Sequence, residues 1–451
     1  MIFAQDARYV QFPNKRLMKL LVPLLVEQSI LVAVSFIDAI MLSSIHQDAY
    51  SAISLVDMIN LLVMQVFMAI GAGGAIVAAQ LVGKKDRDGA LNTANQTVML
   101  VLAVSVTLAA LTLVLNNWLL RFIYPSTSES IMGYARQYFA LSAISYPAYA
   151  LFNSGANLLY AQSNSRSSMV AAFSMNLLKV LLNLLFIRVF SLGVWGIGLA
   201  TILSRVLGAY MVTRVLLDPH SQIHYRKPLN FKALLHFERR ILKVAGPSGV
   251  ENTLFLFGKL IIGTIIASLA SNMIAANAAA NTLSTLINIP CNALNLATIT
   301  VVGQCIGAGL HNEAEYNAKR LLSMTFIAQF VMSGLLFIFV KPVVGILSLS
   351  ADTAAITANI LRVYCVLTIP FEPLAFGLPN SLRASGDNKY TMYSSILSMV
   401  VFRVGFSYMF VYGFNLGIHG IWYAMYFDWV SRSIFFVLRF RSGKWKKHSL
   451  V

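Results

Sequence analysis

Residues 23–28 read Pro-Leu-Leu-Val-Glu-Gln, and residues 247–252 read Pro-Ser-Gly-Val-Glu-Asn. Pro23, Val26 and Glu27 therefore fall on Pro247, Val250 and Glu251 when the chain is displaced by 224 residues. The register holds outward from there. Gln80, Gly83 and Ala90 meet Gln304, Gly307 and Ala314, and after a one-residue deletion Pro147, Asn157 and Ala161 meet Pro370, Asn380 and Ala384. Back at 224, Lys179 falls on Arg403, and Leu192-Gly193 with Gly196-Ile197 falls on Leu416-Gly417 with Gly420-Ile421. A single register kept over the whole length means two copies of one unit, each with the same turn and helix plan.

The unit is made for lipid. Of 451 residues 58% are hydrophobic and 11% charged, with mean hydropathy +0.71, whereas soluble chains carry about 25% charged residues. Apolar runs of about 20 residues, the length that crosses roughly 30 Å of hydrocarbon, recur throughout. Approximate limits are 18–43, 50–82, 91–120, 130–158, 167–189 and 193–217, then 242–268, 273–308, 318–349, 355–382, 390–413 and 417–440. The expectation is an all-α integral membrane protein of twelve transmembrane helices. Six spans per copy is an even number, so both copies enter the membrane in one direction. The lobes are then parallel repeats around a central cleft, with a pseudo-twofold axis along the membrane normal. Residues 1–217 form the first lobe, 218–242 a polar linker with His220, His224 and His236, and 243–451 the second lobe.

The net charge of +17 raises the question of a nucleic-acid partner, but the basic residues sit where the positive-inside rule places them. Lys84, Lys85 and Arg87 follow the second span; Arg214, Arg226, Lys227, Lys232, Arg239, Arg240 and Lys243 surround the linker; Arg439, Arg441, Lys444, Lys446 and Lys447 close the chain. The opposite connections, 44–49, 268–273 and 412–416, carry no Lys or Arg. This pattern predicts cytoplasmic termini, a cytoplasmic linker, membrane lipid as the surrounding partner and no nucleic acid. The polar start, Met1–Lys15, lacks the apolar core of a signal peptide, so insertion is expected to rely on a retained first span. Cys291, Cys305 and Cys365 stand in apolar sequence, too few for a disulfide framework, and the linker histidines lack companion ligands, so no metal or cofactor is expected. No phosphate-binding loop, dinucleotide fingerprint or zinc-protease motif occurs. An enzyme is not expected, and active transport would draw on an ion gradient.

Several stretches resemble the multidrug and toxic compound extrusion (MATE) family of secondary transporters. They are Phe36-Ile37-Asp38-Ala39-Ile40-Met41-Leu42, the run from Ala78 to Asp86, the run from Ala245 to Asn252, and Val302-Gly303-Gln304-Cys305-Ile306-Gly307-Ala308-Gly309. Leu382-Arg383-Ala384-Ser385-Gly386-Asp387 and the two Leu-Gly-x-x-Gly-Ile segments complete the set. The resemblance implies a V-shaped pair of six-helix lobes exporting organic cations in exchange for protons or sodium.

An ionisable side chain at mid-membrane costs about 2.5–3.5 kcal/mol on insertion scales, so each is a functional candidate. Asp38 lies within the first span and matches the acid that the family uses for coupling in its first lobe. Glu27 stands eleven residues earlier, three helical turns plus about 20°, so both share a face roughly 16 Å apart. Glu27 and its mate Glu251 divide between structural and functional readings, and Asp57, mated with Asn281, between cavity and interface. In the second lobe Glu372 sits between Pro370 and Pro373, where freed carbonyls kink a helix. Its spacing of eleven residues to Arg383 is that of a family acid. Lys179 departs from the family pattern, which places an asparagine there, four residues before the position that Asn183 fills. A lysine beside Asp38 would pair with it or stand in for the bound cation, which weakens a sodium assignment. Thr201 matches a sixth-span threonine, giving an expected cluster of Asp38, Lys179, Asn183 and Thr201. Arg403, the mate of Lys179, would either pair with Glu372 or only snorkel. Met64, Met68, Tyr149 and Phe371 are among the apolar and aromatic side chains expected to line the cavity.

The expected function is export of organic cations or drugs by antiport with H+ or Na+, through alternating access in a cell inner or plasma membrane. A lipid or lipid-linked oligosaccharide flippase of the same superfamily is the alternative. An intramembrane enzyme would need a His, Ser or Cys constellation, which is not found.

Overall fold

The computed structural model describes residues 11–42, 46–225, 239–448 and 450–451, and every regular element among them is helical. The central part of the expected linker, 226–238 with Pro228 and His236, and residues 43–45 of the first connection lie outside the described residues. Twelve helical rods follow. In the first half they are α1 (Asn14–Leu42), α2 (Gln47–Lys84), α3 (Arg87–Ile123), α4 (Glu129–Ala161), α5 (Ser165–Leu184, continued by a π-helical turn at Leu185–Val189) and α6 (Gly193–Leu216). In the second half they are α7 (Arg239–Ala267), α8 (Ser271–Ile287 and Ile289–Gly307), α9 (His311–Ile338 and Val340–Gly345), α10 (Ala351–Ser385), α11 (Asn388–Gly413) and α12 (Gly417–Arg441).

Among the described residues ten helices are long and apolar enough to cross a membrane. The two expected spans outside that set, α4 with 33 residues and α12 with 25, have the length and fall short on apolarity. Both carry the polar side chains that build the interior described below. Much of the remaining surface is apolar and open, with Val114 81%, Phe122 71%, Ile338 71% and Ile346 79% exposed. Surface of that kind is what a bilayer covers. The expected eighth span, 273–308, is in fact two helices that part at Asn288, because Pro290 enters the first turn of the second one. Proline has no N–H for an interior helical bond and is accommodated at a helix start.

The duplication is written in the backbone as well as in the side chains. Lys85 and Gly309 end α2 and α8 with positive φ, 62° and 73°, and Asp86 and Leu310 each bond back to a carbonyl five residues earlier, those of Leu81 and Cys305. Ser163 and Gly386, φ 63° and 105°, do the same after α4 and α10. The π-helical turns Leu185–Val189 and Met409–Gly413 correspond, followed by Ser191 and Asn415 at φ 51° and 54° and by Gly193 and Gly417 at 55° and 54°. Left-handed φ is strained for a side chain with a Cβ, so its recurrence at mated positions reflects the shared fold more than residue choice.

Packing repeats too. In the first half α4 lies against α2, α3 and α6, while α2 meets α3 and α5 meets α6. In the second half α10 lies against α8, α9 and α12, while α8 meets α9 and α11 meets α12. Close approach of α4 and α6 depends on Gly155, where a Cβ would fall 2.2 Å from Cγ1 of Val212.

The chain divides into two compact units, residues 22–249 and residues 1–21 with 250–451. The opening of α1 therefore belongs to the unit of the second half. There the Gln11 N–H donates to Glu313 at 2.7 Å, Arg16 donates to Gln304 at 3.0 Å, and Arg320 bonds to Asn14.

Candidate functional site

In the unit of residues 22–249, α1 delivers Asp38 to Lys179 of α5. The ammonium lies 2.6 Å from the carboxylate, with side chains 29% and 19% exposed respectively. Asn183, one turn beyond Lys179, donates to the other carboxylate oxygen at 3.4 Å. Three of the four expected residues thus meet. Thr201 does not join them by hydrogen bond: its hydroxyl donates to the Ile197 carbonyl within α6, the local bond that a helical threonine commonly makes.

Beside this pair runs a second polar layer. Asp57 of α2 accepts hydrogen bonds from Asn60 and from the Tyr138 hydroxyl, each at 3.1 Å, and Tyr146 donates to Asn60 at 2.8 Å. Arg205 of α6 donates to Ser145 at 2.6 Å and lies 4.8 Å from the centroid of the Tyr149 ring. Its other amine sits 3.9 Å from the Met64 sulfur. Lys179 and Arg205 both act electrostatically on Asp57. Two carboxylates and two cations balance, as a low-dielectric interior requires. Met64 and Tyr149 take part in this layer, while Met68 is 39% exposed.

Glu27 is buried deeper in the same unit. Its carboxylate accepts from Tyr160 at 2.5 Å and from Ser168 at 3.4 Å, and its second oxygen has no partner. In the other unit Glu251 meets Arg383 at 2.6 Å. Arg383 stands 223 residues after Tyr160, so the two glutamates use one and the same structural slot with different partners, a neutral phenol and a guanidinium.

Arg403 requires a correction. It neither pairs with Glu372 nor only snorkels; its guanidinium reaches Asp428 of α12 at 3.4 Å, where Arg432 holds the same carboxylate at 2.8 Å. The reason lies in the repeat: Ile262 occupies the position corresponding to Asp38, so the mate of Lys179 turns to α12. Asp428 has no exposed surface and also accepts from Ser398 at 2.6 Å. Glu372 is enclosed in α10 beside the π-helical turn Pro373–Gly377. One of its carboxylate oxygens has no partner, and the Cys291 thiol donates instead to Gln329 at 2.7 Å. Gln329 links Cys291 to Thr368, donating to the latter at 2.8 Å. Phe371 packs half-buried against the apolar core of this unit.

Asn60, Tyr138, Arg205, Asp428 and Arg432 were not among the expected site residues. Arg205 and the Asp428/Arg432 pair, four residues apart in α12, are ionisable groups inside spans, the same signal that singled out Asp38.

The chain matches the MatE family profile twice, over residues 23–185 and 247–409, so the duplication coincides with two family repeats. It is 24% identical to a probable multidrug resistance protein NorM of Thermotoga maritima, over 97% of this chain and 94% of the relative. It is also 24% identical to the uncharacterized transporter YisQ of Bacillus subtilis, over 94% and 93%. A solved structure of a multidrug resistance MATE family transporter of the MOP superfamily, in an outward-facing conformation, has the same fold. The TM-score is 0.89 at 21% identity, covering 98% of this chain and 100% of that one. With a duplicated six-helix plan, corresponding backbone turns and a profile match over most of its length, the chain is a multi-pass membrane protein that belongs to the MatE family.

Proposed function

We propose that this protein is a secondary active transporter of the inner or plasma membrane, exporting small organic molecules, organic cations among them, by antiport with H+ or Na+ through alternating access. The observation that carries the proposal is the Asp38 carboxylate held at 2.6 Å by Lys179, with Asn183 beside it. An ion that binds Asp38 must displace an internal ammonium, so its arrival changes how α1 and α5 are held together. A proton does this by forming an O–H bond on the carboxyl. Sodium would need several oxygen ligands in a place already facing a positive charge, so H+ is the favoured coupling ion.

Glu372, buried with one carboxylate oxygen unsatisfied and with no cationic partner among the described residues, is the carboxylate left to meet a cationic cargo. Met64, Met68, Tyr149 and Phe371 offer thioether and aromatic contacts suited to flat organic molecules. Names of relatives that refer to multidrug resistance support the cargo class. The basic connections support cytoplasmic termini and linker. Coupling requires that ion and cargo each bind the two conformations with different affinity, since equal affinity shifts nothing.

Counterflow of a fluorescent organic cation in proteoliposomes tests the proposal under an imposed pH or sodium gradient. Accumulation that follows the pH gradient and collapses with a protonophore is the expected result. Transport indifferent to both gradients would overturn it.

A further inference from the structure

Two carboxylates of α1 reach toward α5. Asp38 meets Lys179, and Glu27 meets Ser168, with Tyr160 of α4 bonded to both. The spacing is the same on the two helices: Glu27 stands eleven residues before Asp38, and Ser168 eleven residues before Lys179. α1 and α5 are thus joined by two rungs, roughly 16 Å apart along the helix axes. The rungs differ in charge. Asp38 has an ammonium as counter-ion, and Glu27 has none.

Glu27 is 4% exposed and lies thirteen residues into α1. Its Oε1 accepts from Tyr160 at 2.5 Å, and the Ser168 hydroxyl lies 3.4 Å from the same oxygen and 3.0 Å from the phenol. Oε2 is buried with no partner. Among the described residues Tyr160 is the one titratable side chain bonded to Glu27, and no cation acts on it. In the mated slot of the second half Arg383 stands where Tyr160 stands here, and it supplies Glu251 with a counter-charge. A bare carboxylate in the first slot would be an uncompensated charge in a low-dielectric interior. A proton on Oε2 removes that charge and leaves only one neutral O–H without an acceptor, which costs less. Oε1 then keeps both of its neighbours.

We propose that Glu27 is a second proton-binding site, separate from Asp38, whose proton takes the place that the Arg383 guanidinium fills in the mated slot. The step is a simple protonation: a proton from water forms an O–H bond on Oε2, and the carboxylate loses its charge. With the proton bound, the rung between α1 and the neighbouring α4 and α5 is neutral; without it, the rung carries a buried charge that favours opening to water. Exchange of a proton for the Lys179 ammonium stays at Asp38, and Glu27 positions α1 at the other rung. The proposal rests on the reading of the protein as a proton-coupled exporter and adds a second acid to it.

Infrared difference spectroscopy on the purified full-length chain in non-ionic detergent tests the site. At neutral pH the native spectrum minus that of Glu27→Gln should show the carbonyl stretch of one protonated carboxylic acid. The band should move in heavy water, and it should give way to carboxylate absorption as the pH is raised. Tyr160→Phe should keep the band and shift it to higher frequency, because the carbonyl loses a hydrogen bond. Glu251→Gln is the control: its partner is Arg383, so its difference spectrum should show carboxylate and no acid band. Glu372 is present in every sample and cancels. Glutamine has the shape of a protonated glutamate, so the fold is expected to survive. If Glu27→Gln does not fold, the native spectrum minus that of Tyr160→Phe carries the test, since the acid stays in place there. Carboxylate absorption in place of the acid band at neutral pH, or a band that Tyr160→Phe leaves unmoved, would overturn the proposal. Detergent sustains no gradient, so counterflow in proteoliposomes is decided separately.

Discussion

Glu27 and Glu251 occupy one slot of a duplicated fold and are satisfied differently, by a phenol and by a guanidinium. The difference has an energetic consequence. Tyr160→Phe removes one hydrogen bond from Glu27 and leaves Ser168 in place, at an expected cost of about 1–3 kcal/mol. Arg383→Ala leaves Glu251, only 8% exposed in its side chain, as an unpaired buried charge, at an expected cost of about 3–5 kcal/mol. Thermal unfolding of the detergent-solubilised variants should rank Arg383→Ala well below Tyr160→Phe; the reverse order would mean that the ion pair contributes little to holding the unit together. At this scale the sequence showed which groups are ionisable and deep, and it placed Lys179 beside Asp38. It did not show that Arg403 meets Asp428, because that contact joins two helices whose separation depends on packing, and because Ile262 removes the partner that the repeat would otherwise supply. Arg205 and Asp428 stand in the sequence as charges within apolar runs, but their repeat mates Trp429 and Ser204 are uncharged, so the duplication gives neither a partner.

Helices in this fold approach through glycine, and the tightest contacts are testable one by one. A Cβ at position 155 of α4 would lie 2.2 Å from Val212 of α6, whereas nothing lies within 4 Å of one at Gly133 of the same helix. Gly155→Val is expected to cost about 1–3 kcal/mol by overpacking. Gly133→Ala is expected to be neutral or to stabilise by up to about 1 kcal/mol, the helix preference of alanine over glycine. Melting temperatures of the two variants check the pair; equal behaviour would show that α4 and α6 have room to part. The order of the rods was legible from apolar runs together with the repeat, since α4 and α12 fall short on apolarity and are matched by their place in the duplicated plan. The break in α8 was legible only through Pro290, set in a run otherwise apolar enough to pass as one helix. The π-helical turns left no compositional mark. Their hydrogen bonds skip one residue further than an α-helix does, and no residue type announces this in an apolar stretch. What made them recognisable as designed features is their recurrence at Leu185–Val189 and Met409–Gly413.

The molecule combines a common scaffold with unlike charges. The first half holds an ion pair, Asp38 with Lys179, beside a balanced polar layer; the second replaces that acid by Ile262 and carries Glu372 in α10 and Asp428 held by Arg403 and Arg432. Two units with one packing plan and separate chemistry allow ion and cargo to be handled by different residues, and the separation can be measured. In proteoliposomes Asp38→Asn should abolish gradient-driven efflux and its dependence on pH, because an amide accepts no proton in exchange for the Lys179 ammonium. Glu372→Gln should leave the pH dependence in place and raise the concentration of organic cation needed for half-maximal transport about tenfold, the equivalent of one lost charge contact. Both proteins should elute as the folded species on size exclusion, which separates loss of transport from loss of structure. If Glu372→Gln also erases the response to the proton gradient, ion coupling is shared between the halves, and the division of labour drawn from their unlike charges fails.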